Sequence, residues 1–308
     1  MAINNPNYIK YVQALEFFFC EKPTVVEPTV VEPTVVGGVP LVITTLAGES
    51  IIIVYDPNQT IFDLKSLVEK KFKIPLKKQC LLYNNVELKI SDKNDKDLKL
   101  RDYDVKPNSE IYLVILLYAI PEKLDKVIFD LFWGYPHRNW FFELLNLDWF
   151  RTQDYLDASV FLYSDSEFKE VVNYCNKTSK CSSAVTHSGD DMDDKKKLGH
   201  HTIAVSIKSI PPEVNRLVFT LSARNSPDVS KYLKPCLEFY NAGDPGNKLC
   251  DDTMEDAVKS EAIIMCCLTN RGDKWRVVSL KEQSPGNAKD YGPLKNTIRQ
   301  LIESGKML

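Results

Sequence analysis

The sequence predicts an α+β module followed by an all-β sandwich that closes with a helix. Three observations carry this reading. Residues 40–118 run strand, strand, helix, strand, strand. Beyond them come seven short apolar runs separated by turn signals, with no long helical pattern between them. A last amphipathic run, "LKNTIRQLIES", follows Pro293.

Residues 1–39 are set apart by composition. "PTVVEPTVVEPTVVGGVP", Pro23 to Pro40, repeats with a period of five. A proline in every repeat forbids a long helix, and each Thr-Val-Val prefers extended backbone. The segment reads as a semi-stiff tether ending in a flexible joint at Gly37-Gly38. Residues 8–21 ahead of it have the pattern of a short amphipathic helix.

The module begins with "LVITTLAGESIIIVYD", two β-rich runs around Ala47-Gly48. In "TIFDLKSLVEKKFKI", apolar residues at 61, 64, 67, 68 and 72 have helical spacing, and Pro75 ends it. "QCLLYNNVEL" is a third strand with an Asn-Asn turn, and "LKLRDYDVKPNSEIYLVILLY" supplies a turn and the last strand. The order and these stretches resemble the ubiquitin family over residues 40–117, with an insertion, "ISDKNDKD", before Leu98. The resemblance implies a β-grasp fold and an apolar face at Leu46, Leu82 and Val114, which either docks protein partners or packs against the neighbouring domain. It also implies that this copy is not conjugated, because the last strand continues into "LYAIPEK" without a terminal Gly-Gly.

The seven runs of residues 119–308 are "KVIFDLFWG", "YLDASVFLYS", "TIAVSIKSI", "RLVFTLSAR", "CLEFYNAG", "EAIIMCCLT" and "WRVVSLKE". The stretches "LDASVFLY", "AVTHSGDD", "IAVSIKSIPPEVNRLVFTLSA" and "SEAIIMCCLTNRGDKWRVV" resemble the TerD-type family of tellurium-resistance and stress proteins, across residues 124–282. That resemblance implies a β-sandwich with calcium sites. They are built from an Asp-Leu-Asp strand motif and an acidic loop after His-Ser-Gly-Asp. Here Asp157 matches the second strand aspartate. Tyr155 takes the place of the first, with Asp154 displaced by one position, and neighbouring strand side chains face opposite ways. Asp190 and Asp191 match the head of the loop.

The loop's second half departs from the family. Lys195, Lys196 and Lys197 follow Asp193 and Asp194, and then come Leu198, Gly199, His200 and His201. Four aspartates against three lysines leave the loop near −1, too little for tight binding of a divalent ion held by carboxylate oxygens. Calcium is therefore expected with reduced affinity at Asp157, Asp190, Asp191 and Asp154. Zinc, at Cys175, Cys181, His187 and His200 or His201, is not expected, because the cysteine pair is spaced too widely.

Bulk properties narrow the function. The formal net charge of −3 disfavours nucleic-acid binding. No apolar stretch reaches membrane-spanning length; the longest, "IYLVILLYAI", reads as a buried strand, and no membrane partner is expected. No secretory pattern is seen, so the eight cysteines are expected as reduced thiols of a cytoplasmic protein. The sequons at Asn58 and Asn176 are then silent, and Arg271–Asp273 reads as a turn. There is no phosphate loop, nucleophile elbow or zinc-protease motif. The expectation is a non-enzymatic binding or adaptor protein of stress-response type. The alternatives are a thiol-based detoxifying or redox protein using Cys175, Cys181, Cys266 and Cys267 or, by family analogy alone, a cyclic-nucleotide-binding protein.

Overall fold

A computed structural model describes residues 38–135, 155–193, 198–254, 259–270 and 274–307. The proline-rich repeat, the 8–21 segment, Asp154, Asp194, the three loop lysines and Arg271–Asp273 lie outside them.

The module opens with the antiparallel hairpin β1 (Pro40–Thr45) and β2 (Ser50–Val54). Gly48 turns it at φ 89°, a left-handed backbone that suits a residue without Cβ. Helix α1 (Ile61–Phe72) starts where the Thr60 hydroxyl accepts the Asp63 N–H at 3.0 Å, and stops at Lys73, which is left-handed at φ 58°. It buries Ile61, Leu64 and Val68 against Leu41, Ile43, Ile111 and Leu113. Strands β3 (Gln79–Tyr83) and β4 (Val86–Glu87) turn at Asn84 and Asn85, at φ 45° and 65°, the pair of left-handed residues that a tight two-residue hairpin needs.

Strand β5 (Glu110–Ala119) joins the module to the sandwich. Its first half pairs in parallel with β1 and antiparallel with β3; its second half, Ile115–Ala119, pairs antiparallel with Arg276–Ser279.

The sandwich continues with β6 (Lys126–Gly134), β7 (Leu156–Ser164), β8 (Glu167–Val172), β9 (Val185–His187), β10 (Asp191–Asp193), β11 (Leu198–Ser206), β12 (Arg216–Ala223), β13 (Leu233–Asn241), β14 (Lys248–Thr253), β15 (Ala262–Asn270) and β16 (Trp275–Ser284). One sheet runs β2-β1-β5-β16-β15-β12-β7-β8, with β3 and β4 branching from β5, so both modules share it. The other runs β10-β11-β6-β13-β14, with β9 beside β11.

Between the sheets lies an apolar core. β6 alternates, burying Val127, Phe129, Leu131 and Trp133. Phe129 stacks on Phe219 at 3.9 Å between ring centres and tilts against Phe239. β7, β12 and β15 instead bury almost every side chain. Their outer face is covered by helix α2 (Gly292–Glu303), whose Leu294, Ile298, Leu301 and Ile302 form an apolar stripe. This stripe packs on Phe161, Tyr163, Val218, Ile264, Cys267 and Val278 of the sandwich, and on Cys80, Leu82 and Val114 of the module. Two-sided burial explains why these antiparallel strands read as unbroken apolar runs.

The tail of α2 also touches the module. Gly305 sits at φ 67°, and a Cβ there would lie 2.9 Å from the Asn85 Cα and closer still to its side chain. Gly305→Ala is therefore expected to destabilise by about 1–2 kcal/mol from the left-handed backbone alone, seen as a melting temperature several degrees lower. Adding Asn85→Gly should recover part of that loss by removing the side-chain clash. Among the described residues no helix is long and apolar enough to cross a membrane.

Candidate functional site

The rim of the sandwich is organised by the end of β7. β8 pairs with β7 only from Val160 onward, so Ala158 lies beyond its last partner. Unpaired buried backbone groups are costly, and two histidines satisfy them. The Ala158 N–H donates to His201 Nδ1 at 3.0 Å, and the Ala158 carbonyl lies 3.2 Å from His187 Nε2. His187 Nδ1 in turn accepts the Gly189 N–H at 2.8 Å, which puts the His187 proton on Nε2, where it donates to Ala158. The same logic places the His201 proton on Nε2, 3.0 Å from Asp190 Oδ1.

Both histidines are buried and meet edge to face at 4.8 Å, and Trp133 also meets His201 edge to face at 5.3 Å. Burial, reinforced by the neighbouring His201, pushes His187 down to about 4. The His201 imidazole beside it holds Asp190 below the usual carboxylate range. Asp157 is 3% exposed, and its Oδ2 is buried without a hydrogen-bond partner. Burial pushes it up to about 6, against the pull of His201 and Arg224. Asp191, on β10, stands across the strand pair from His200, Oδ2 to Nε2 at 3.5 Å. Arg224 lies over the Tyr174 ring at 4.6 Å, and the Tyr291 hydroxyl bonds Ser159 and Asn173.

Two of the three described acidic candidates, Asp190 and Asp191, are thus each held by a histidine; the third, Asp157, is buried and proton-hungry. Among the described residues no group of three or more His, Cys, Asp or Glu side chains is arranged to hold a metal ion. The soft-ligand set is not assembled either. Both ring nitrogens of His187 serve backbone groups, while Cys175 and Cys181 are exposed. Cys266 and Cys267 are both buried, one in the inter-sheet core and one beneath α2. Burial pushes Cys267 up to about 12 and Cys266 well above its ordinary value. The outward face of β15, which the sequence left open for a reactive thiol, is the face that α2 covers.

The docking face expected at Leu46, Leu82 and Val114 is covered as well. Leu82 and Val114 are buried beneath α2, and Leu46 is half-buried against the same cluster. Of the two readings left open for this face, packing within the chain is the one seen, and the apolar stripe of the last helix is what it packs against.

A β-grasp module and a β-sandwich sharing one sheet define the class of this protein. A TerD domain model matches residues 114–287, and a ubiquitin family model matches residues 41–117. The chain belongs to the TerD domain family and carries a ubiquitin-like domain ahead of the sandwich. The two matches overlap at 114–117, within β5. Among solved structures, the chain is similar to a protein of unknown function, with 13% identity over 56% of this chain and 97% of that one and a TM-score of 0.44. It is also similar to a homologue of telluride resistance protein (TerD) from Streptomyces coelicolor A3(2), with 14% identity over 55% of this chain and 95% of that one and a TM-score of 0.43. No curated protein matches the chain.

Proposed function

We propose that the protein is a non-enzymatic binding scaffold of stress-response type, in which the ubiquitin-like module is a fixed structural part and not a tag for transfer. The observation that carries this is β5, which passes from the module's sheet into the sandwich sheet and is followed directly by β6. Conjugation needs a free, flexible glycine end. Here the corresponding strand is locked by β16 and continues as Ala119-Ile120-Pro121. Protein partners then meet surfaces other than Leu46, Leu82 and Val114. All seven described cysteines are free, which fits a reducing compartment such as the cytoplasm.

The rim is a calcium site of weakened affinity. Carboxylates that already have a cationic or hydrogen-bonding partner in the protein gain less from a bound ion. Asp190 has His201 and Asp191 has His200 in that position. On this reading, 1 mM calcium raises the melting temperature of the full chain by less than about one degree, since a ligand stabilises little when its concentration is below its dissociation constant. A rise of several degrees at micromolar calcium sinks the weakened-site reading while leaving the fixed-module reading standing.

A further inference from the structure

The overall charge of −3 hides a local excess. Lys70, Lys71, Lys73, Lys77 and Lys78 fall within nine residues, on the last turn of α1 and the short turn after it, and all five are exposed. None has a carboxylate partner among the described residues. Between residues 69 and 78 only Glu69 opposes them. The other carboxylate of the helix, Asp63, is tied to the Thr60 hydroxyl at 2.7 Å. Lysines at a helix C-terminus complement its dipole, which accounts for Lys70 and Lys71 but not for what lies beside them. On the same exposed side of α1, Phe62 and Leu67 are 50% and 39% exposed. The opposite side is sealed into the module core by Ile61, Leu64 and Val68.

We propose that this face of α1 and the turn that follows is a docking surface for an anionic lipid bilayer. The complement of charge is the argument. An anionic leaflet attracts clustered ammonium groups, and each adds to the attraction. An exposed aromatic and an aliphatic side chain beside the lysines supply the shallow apolar contact that interfacial helices use. A helix face is convex, and a bilayer presents a broad surface to it; a peptide would need a groove. The charges are all lysine, the point-like cation, without the forked arginines that mark bidentate phosphate recognition.

Sedimentation of the full chain with phosphatidylcholine vesicles, alone or with one quarter phosphatidylserine, tests the proposal. Binding is expected to the mixed vesicles only, at low salt, with loss at 0.5 M salt as screening shortens the reach of the charges. Reversing three charges (K70E/K71E/K77E, leaving Lys73 because its backbone is left-handed) is expected to weaken binding at least about a hundredfold. Phe62→Ser should weaken it severalfold with the charge unchanged, which also guards against misfolding of the triple variant. Absence of binding to the mixed vesicles overturns the proposal. So does equal binding by wild type and both variants. Binding to polyglutamate or RNA without binding to the vesicles assigns the lysines to a different partner and overturns it too.

Discussion

Ile298→Asp is expected to unfold the ubiquitin-like domain and the sandwich together, in a single transition. Ile298 is fully buried on α2, within the cluster that joins Leu82 and Val114 to Val218, Ile264 and Val278. A carboxylate there has no partner, and burying an unpaired charge destabilises by several kcal/mol, of the order of a domain's whole stability. The cost falls on both modules because both lose the same cover, and because β5 is shared between their ladders. Ile298→Val, which only trims a methyl group, should cost about 0.5–1.5 kcal/mol and keep the transition single. The measurement needs one probe in each module. Amide exchange at Val218–Leu221, in the middle of β12, reports the sandwich. Amide exchange at Leu41–Ile43 reports the module. Two separated transitions in the Val variant would falsify the claim that the modules form one cooperative unit.

The sequence shows some of this and hides the rest for identifiable reasons. β6 and β11 are legible because one face packs and the other is solvated, so alternation survives. β7, β12 and β15 are legible as strands but not as the middle layer of three, since burial on both faces erases the period. Leu46, Leu82 and Val114 are legible as an apolar face, yet such a face cannot say what covers it. The missing half of that evidence is "LKNTIRQLIES": an amphipathic helix needs a surface, and the module's sheet offers one. The histidine clamp is harder to see. His187 and His201 are 14 positions apart and meet only because β9 pairs with β11. One signal was present. His201 is in phase with Ile203 and Val205, so alternation turns it inward.

That clamp sets an acid response that Asp157→Asn should expose. Asp157 has a folded pKa of about 6, above the ordinary carboxylate value of 3.8. Its burial as an anion therefore costs stability at neutral pH, by about 3 kcal/mol, and the cost fades as pH falls from above 6 to below the unfolded value. His187 does the reverse. Its folded pKa of about 4 lies below its ordinary 6.5, so the unfolded chain takes up a proton first, and about 3 kcal/mol of stability is lost as pH falls from 6.5 towards 4. Asp190, depressed by His201, adds to the acid loss in the same direction. In the wild type the Asp157 gain offsets much of this loss between pH 6 and pH 4, and stability should change little there. With Asn at 157 the offset is gone. The variant is expected to melt higher than wild type at pH 7.5, by up to several degrees, and to fall steeply below pH 6 until the two curves meet near pH 4. Melting temperatures at half-unit intervals from pH 4 to pH 8 decide it. Parallel curves for the two proteins across that range show that Asp157 does not titrate in the folded chain, and the account of a proton-hungry carboxylate at this rim is then wrong.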